Sequence, residues 1–242
     1  MSGLVSLVGA GPGDPELLTR RALDRRARAD LVLYDALTPT ELLELAPRAR
    51  RFYVGKRAGR HSIEQDGIHR LMIRAARRGQ RVVRLKCGDP FVLGRGGEEV
   101  LALEAAGIAY EVVPGVSSAI AAPALAGIPV THRGIAAGFA VLSGHVIGDA
   151  FDAIAPGALT LVVLMGLRTR GELAARLCTR GWPADTPAAI VLGASHAAEA
   201  RWFGTLGALA EAEIDDQPGV IVIGEVVRLG KQRVQTALAE VL

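Results

Sequence analysis

The stretch Arg84 to Glu99, RLKCGDPFVLGRGGEE, constrains the fold more than any other part of the chain. A short apolar strand, Arg81 to Leu85, runs directly into a turn whose residues resist a continued ladder. Gly88 permits backbone angles closed to other residues, Asp89 suits an exposed turn, and Pro90 has no N–H to give a neighbouring strand. Loops of this kind, at the carboxyl ends of strands, are where open α/β sheets bind ligands. An ordinary strand-turn-helix joint uses the same residues, so the rest of the chain must choose between the two.

Leu4 to Val8 reads as a buried strand followed at once by Gly9-Ala10-Gly11-Pro12-Gly13-Asp14. Asp14 stands where an N-cap belongs, Pro15 takes the first helical position, and Glu16 to Ala29 is amphipathic. The loop departs from a dinucleotide fingerprint: its third glycine follows the second by two residues, and Asp14 comes next. A carboxylate at a helix N-terminus is electrostatically wrong for a pyrophosphate, so a ligand without phosphates fits better. Further strands are expected at Leu31 to Tyr34, Arg51 to Val54 and Ile108 to Val113. Helices are expected at Ile63 to Arg78, opened by a Ser62/Gln65 capping box, and at Gly97 to Ala106. This alternation predicts a mostly parallel sheet.

Pro114-Gly115 interrupts the pattern, which places a domain boundary there and divides the chain into 1–113 and 114–242. An alanine-rich helix, Val116 to Ala126, opens the second part. Strands follow at Phe139 to Leu142, Leu159 to Leu164, Ala188 to Leu192 and Val220 to Ile223, with a helix begun by a Thr169/Glu172 capping box.

With 50% hydrophobic but only 4% aromatic residues, the chain suits α/β packing better than a nucleic-acid stacking platform. Residues 1–113 hold 19 Lys and Arg against 14 Asp and Glu, a balance of +5, whereas the remainder carries −2. The basic half can attract an anionic ligand. Most of Arg25, Arg26, Arg28, Arg48, Arg50, Arg51, Arg77 and Arg78 read as solvated surface. Two cysteines, Cys87 and Cys178, indicate a reducing compartment, with Cys178 packing on a helix. The five histidines lack zinc-ligand spacing, so no metal is expected. No signal-peptide pattern is present, and the apolar run Ala158 to Leu167 falls far short of the ~20 residues of a membrane helix. A soluble cytoplasmic protein that binds neither membrane nor nucleic acid is the expectation.

The stretches VGAGPGDPELLT (Val8 to Thr19), YD (Tyr34, Asp35), VGKRAG (Val54 to Gly59), RLKCGDPFVLGRGGEE, VVPGVSSAIAAPALAGIPVTHR (Val112 to Arg133), LMG (Leu164 to Gly166) and VIGEVVRL (Val222 to Leu229) together resemble the tetrapyrrole methylases. The likeness runs through nearly the whole chain in the family's order. It implies a two-domain α/β fold, with a mostly parallel sheet in the first domain and a mixed sheet in the second. It also implies a homodimer and an S-adenosylmethionine site in the cleft between domains, S-adenosylhomocysteine being the product. The implied reaction is methylation of uroporphyrinogen III on rings A and B to give precorrin-2, on the route to siroheme and cobalamin. Some members carry a fused dehydrogenase and ferrochelatase module; because this chain starts directly at the methylase strand, that module is expected to be absent.

By the same resemblance, Pro12, Cys87, Gly88, Asp89, Val92, Ser117, Ser118, Met165, Ala194 and Gly219 line the cofactor site. Asp35 matches a proton acceptor and Lys56 a proton donor. A sulfonium nucleoside without phosphate needs backbone hydrogen bonds and apolar walls more than cationic side chains. The substrate's many carboxylates give the basic half a use, and Arg57, Arg60, Arg95 and Arg133 are the candidates to pair with them. Arg95 could equally hold its own glycine loop, and Arg133 a dimer contact. His132 reads as a buried structural histidine.

Three positions depart from the family's habit. Ala36-Leu37-Thr38 follows Asp35 where an arginine and a valine-serine pair are usual, removing one expected substrate contact. Cys87 replaces a glycine, which costs about 1 kcal/mol if the position needs a positive φ and otherwise narrows the pocket. Gly193-Ala194-Ser195-His196 replaces a threonine-rich turn. Three alternatives stay open at this point: a methylase acting on a later corrin precursor, an NAD-dependent oxidoreductase suggested by the first glycine loop alone, and a cofactor-binding protein without catalysis.

Overall fold

In the computed structural model, which describes residues 3–38, 40–44, 46–55 and 64–230, the five strands expected in the first half all form and all pair in parallel. They are β1 (Leu4–Gly9), β2 (Leu31–Tyr34), β3 (Arg50–Tyr53), β4 (Arg81–Lys86) and β5 (Tyr110–Val113), in the order β3-β2-β4-β1-β5. The chain divides into two units, Met1–Ser117 and Ser118–Leu242, and this sheet is the centre of the first.

Alternate residues of the strands feed two apolar layers, as a twofold side-chain period requires. Val8, Val32, Val83 and Leu85 join the layer that includes Ala22 of α1 (Arg20–Ala27) and Leu42 and Leu43 of α2 (Thr40–Glu44). Val5, Leu7, Leu33 and Val82 join the layer that includes Met72 of α3 (Gln65–Arg77) and Leu103 of α4 (Gly96–Ala105). The chain leaves β1 toward β2 but leaves β4 toward β5, in opposite directions along the sheet. The β1/β4 seam is therefore the topological switch point, where sheets of this class open to ligands.

The second unit begins with α5 (Ser118–Leu125) and is built on a mixed sheet. Its strands are β6 (Phe139–Ser143), β7 (Thr160–Leu164), β8 (Pro187–Leu192), β9 (Ala200–Thr205) and β10 (Gly219–Ile223), in the order β6-β7-β10-β8-β9. Only β6 and β7 pair in parallel. The apolar core gathers Leu161, Val163, Ile190 and Ile221 with Phe151 of α6 (Asp149–Asp152) and Leu173 and Leu177 of α7 (Arg170–Thr179). Among the described residues, no helix is long and apolar enough to cross a membrane.

Four local expectations need correction. The helix expected over Glu16 to Ala29 is split: Asp14 caps a short 3-10 turn, Pro15–Leu17, Leu18 is extended, and α1 starts afresh behind Thr19, whose hydroxyl accepts from Ala22 N–H at 3.2 Å. Thr169 occupies the N-cap of α7 but makes no capping bond, because its hydroxyl donates to Gly144 O at 2.6 Å instead. His132 is exposed rather than buried, its Nδ1 lying 2.8 Å from Arg133 O. Arg26 is not solvated surface: it is 0% exposed, and its Nε, Nη1 and Nη2 find no hydrogen-bond partner. Ser62 and Ile63, the expected start of the third helix, lie outside the described residues, and β9, a half-exposed strand, was not anticipated.

Candidate active site

Two glycine loops close over the switch point. Gly11, at φ 71°, and Gly88, at φ 66°, exchange backbone bonds: Gly88 N–H donates to Gly11 O at 2.8 Å and Gly11 N–H to Gly88 O at 3.2 Å. Both need left-handed backbone, which only glycine adopts freely. A third loop presses against them, since a Cβ on Gly115 would lie 2.2 Å from Gly88 O. Asp89 ties the assembly together, one oxygen accepting from Phe91 N–H at 2.8 Å and the other from Gly115 N–H at 3.0 Å. Cys87 is not among the non-glycine residues with positive φ, so it carries no left-handed strain. Its Sγ sits 3.9 Å from Gly11 O, and burial, then the nearby Asp35, pushes its thiol pKa up. Pro12 is buried at the first loop, and Val92 is half-buried with its N–H donating to Asp89 O.

Behind this turn lies a chain of four charges. Arg84 and Lys86, two residues apart on β4, share the sheet face that α3 and α4 cover. Nη2 of Arg84 donates to both oxygens of Asp35 at 2.8 Å, its Nε to Glu99 Oε1 at 2.9 Å, and its Nη1 to Leu85 O at 3.1 Å. Lys86 Nζ is 3.1 Å from Glu99 Oε1 and 3.0 Å from Oε2, the latter an ion-pair contact outside hydrogen-bond alignment. Burial works against the Arg84 charge, but Glu99 and Asp35 outweigh it and hold its pKa above the ordinary value. For Lys86 burial and the neighbouring Arg84 prevail over Glu99, and its pKa falls below the ordinary lysine value. Asp35 alone reaches solvent: its side chain is 32% exposed, against 3% for Arg84 and 0% for Glu99.

In the second unit, antiparallel register sets Gly219 opposite Leu192 and Val220 opposite Leu164. The residues just past β7 and β8 and the first of β10 thus share one end of the sheet, which brings Met165, Ala194 and Gly219 together. A Cβ on Gly219 would lie 2.9 Å from the backbone Val191 O, so a larger residue there forces the strands to shift. Met165 is 42% exposed and held at φ 58°. All four described non-glycine residues with positive φ fall in loops singled out from the sequence: Leu93 and Arg95 after β4, Met165 after β7 and Ser195 after β8. Such strain costs on the order of 1 kcal/mol or more per residue and gathers at ligand-binding loops.

The remaining expected residues scatter. Ser117 is buried at the end of the first unit, and Ser118 opens α5. Arg95 is committed locally, donating to Glu98 at 2.8 and 2.6 Å from the N-cap of α4. Arg133 is exposed on the rim of an open depression of about 670 Å³ lined by Thr131 to Ala137 and Ala158. Lys56, Arg57 and Arg60 lie outside the described residues. Sequence reading missed Arg84, Lys86 and Glu99. Past the exposed Arg81, two further cations alternating with apolar residues in one strand were the available signal, because such charges are seldom buried without partners.

The chain matches the family model of the Tetrapyrrole (Corrin/Porphyrin) Methylases over residues 4–210. It is 49% identical to a siroheme synthase of Actinobacillus pleuropneumoniae, over 95% of this chain and 48% of that protein, so it spans about half the length of such relatives. It is 46% identical to the uroporphyrinogen-III C-methyltransferase of Methanocaldococcus jannaschii, over 95% of this chain and 98% of that one. Among solved structures it is similar to the uroporphyrin-III C-methyl transferase of Thermus thermophilus complexed with S-adenosylhomocysteine. That match has a TM-score of 0.82 and 44% identity, covering 94% of this chain and 100% of the other. With these relatives, and with the family model matched over most of its length, the chain belongs to the tetrapyrrole methylases.

Proposed function

We propose that the protein methylates uroporphyrinogen III at two ring carbons, on rings A and B, using S-adenosylmethionine and yielding precorrin-2. One observation carries the reading: the carboxyl end of the parallel sheet holds a turn of two left-handed glycines, Gly11 with Gly88, together with a clamped and solvent-reaching carboxylate, Asp35. Asp14 supports it from the other direction. Its Oδ1 accepts from Glu16 N–H at 2.8 Å and so puts negative charge in the loop after β1, where a dinucleotide's pyrophosphate would lie. The side-chain-free turn at Gly11 and Gly88 lets a nucleoside approach the backbone closely.

When bound, S-adenosylmethionine supplies a methyl group on a sulfonium whose thioether leaves readily, so the protein's work is largely positioning. Asp35 spends two acceptor sites on Arg84, and a carboxylate has about four, so it can still take the proton released from the methylated ring system. Lys56 is the proposed donor, and Arg57, Arg60 and Arg133 the proposed partners of the substrate's acid groups. A homodimer and a cytoplasmic location belong to the same reading. Anaerobic incubation of the purified protein with S-adenosylmethionine and uroporphyrinogen III, read by mass spectrometry, tests it. A dimethylated product is expected; cofactor binding without methylation would move the substrate elsewhere among the tetrapyrroles.

A further inference from the structure

We propose that Glu99 is a positioning residue which, braced by Lys86, fixes the plane of Arg84 and through it the aim of the Asp35 carboxylate. The inference rests on the assignment of Asp35 as proton acceptor. Glu99 is 0% exposed and stands 64 positions along the chain from Asp35, and the two acids meet only through Arg84. Whatever it does for the reaction it does through Arg84.

The guanidinium is planar, so holding one edge orients the other. Here the Nε edge is held by Glu99 at 2.9 Å and Nη1 by Leu85 O at 3.1 Å, which leaves Nη2 to meet both oxygens of Asp35 at 2.8 Å. Glu99 is held in turn. Its Oε1 also takes Lys86 Nζ at 3.1 Å and Gln65 Nε2 at 3.2 Å, so helix α3 and strand β4 both grip one oxygen of a residue carried by α4. Two cations and two carboxylates make the set neutral. Removing Glu99 alone would leave Arg84 and Lys86 buried against the single charge of Asp35, and the guanidinium plane held on the far side from Asp35 by the Leu85 carbonyl alone. Buried ion pairs are a poor source of net stability, since well-packed apolar residues do as well or better. A chain of three buried charged groups that ends at a one-third exposed acid on the binding end of the sheet is better explained by the need to aim that acid.

The test is a four-protein cycle of the full-length chain: the parent, Glu99→Gln, Asp35→Asn and the double variant. Each is assayed for methylation of uroporphyrinogen III and titrated calorimetrically with S-adenosylhomocysteine. Glu99→Gln is expected to lower kcat about ten- to hundredfold, the scale of a small misplacement of a reacting group, with S-adenosylhomocysteine affinity unchanged. In the Asp35→Asn background it should lower kcat no further. The charge-balanced pair Lys86→Met with Glu99→Gln carries the same expectation and serves if the single variant fails to fold. An equal loss in both backgrounds would make Glu99 merely structural and overturn the proposal. So would an unchanged kcat for Glu99→Gln beside a slow Asp35→Asn, although the assignment of Asp35 would then stand. Unimpaired Asp35→Asn would overturn both.

Discussion

Replacing Arg26 by methionine should stabilise the protein, an unusual expectation for a fully buried side chain. The guanidinium is 0% exposed, none of its three nitrogens has a hydrogen-bond partner, and burial, followed by repulsion from Arg51, lowers its pKa well below the ordinary arginine value, to about 10. For a base whose folded pKa lies below its unfolded value, the charged form is disfavoured by folding. The cost is fully present below about pH 10, where both states are charged, and fades as pH rises from about 10 toward the ordinary arginine value. A shift of this size corresponds to about 3 kcal/mol. Methionine is a comparable helix former and a flexible gap-filler, so little should be lost in exchange, and the net gain expected is about 1–3 kcal/mol.

The assay is thermal and urea unfolding at pH 7, following the transition that melts the unit containing α1. A gain of 1–3 kcal/mol would raise its midpoint by about 3–10 °C in a chain of this size. The same comparison between pH 7 and 9 should give a constant difference, because the arginine stays charged throughout that window in both states. A variant no more stable than the parent would refute the reasoning, since it would mean that the guanidinium reaches water or an acceptor in solution.

Two further substitutions test the glycine loops. Gly115→Ala places a Cβ 2.2 Å from Gly88 O and should cost about 1–3 kcal/mol in urea unfolding while weakening S-adenosylhomocysteine binding; unchanged affinity would separate this contact from the site. Cys87→Gly removes a side chain that carries no positive φ, so calorimetry should show equal or tighter S-adenosylhomocysteine binding, with a loss of about 0.5–1 kcal/mol in stability from added chain freedom; a large drop in affinity would give the thiol a role of its own.

What was legible in the chain, and what was not, divides by the range over which each residue acts. Strand positions and the turns after them were readable because apolar runs and glycine-proline punctuation act within a few neighbours. The glycine pair Gly11 and Gly88 could be seen as two loops, but their mutual bonding could not, since it needs β1 and β4 to lie side by side. The charge chain is harder still. Arg84 and Lys86 were visible as cations in a strand, yet nothing local says that the acid closing the set sits on α4, or that Asp35 arrives from the end of β2. Arg26 failed for a different reason. It lies in RRALDRRAR, where several arginines make every helix phase look wet, and the phase itself depends on a restart at Thr19 that the amphipathic pattern from Glu16 conceals. Once the helix begins at Arg20, Ala22 and Arg26 are one turn apart on the face turned inward, and a single displaced cap has decided which arginine loses its water.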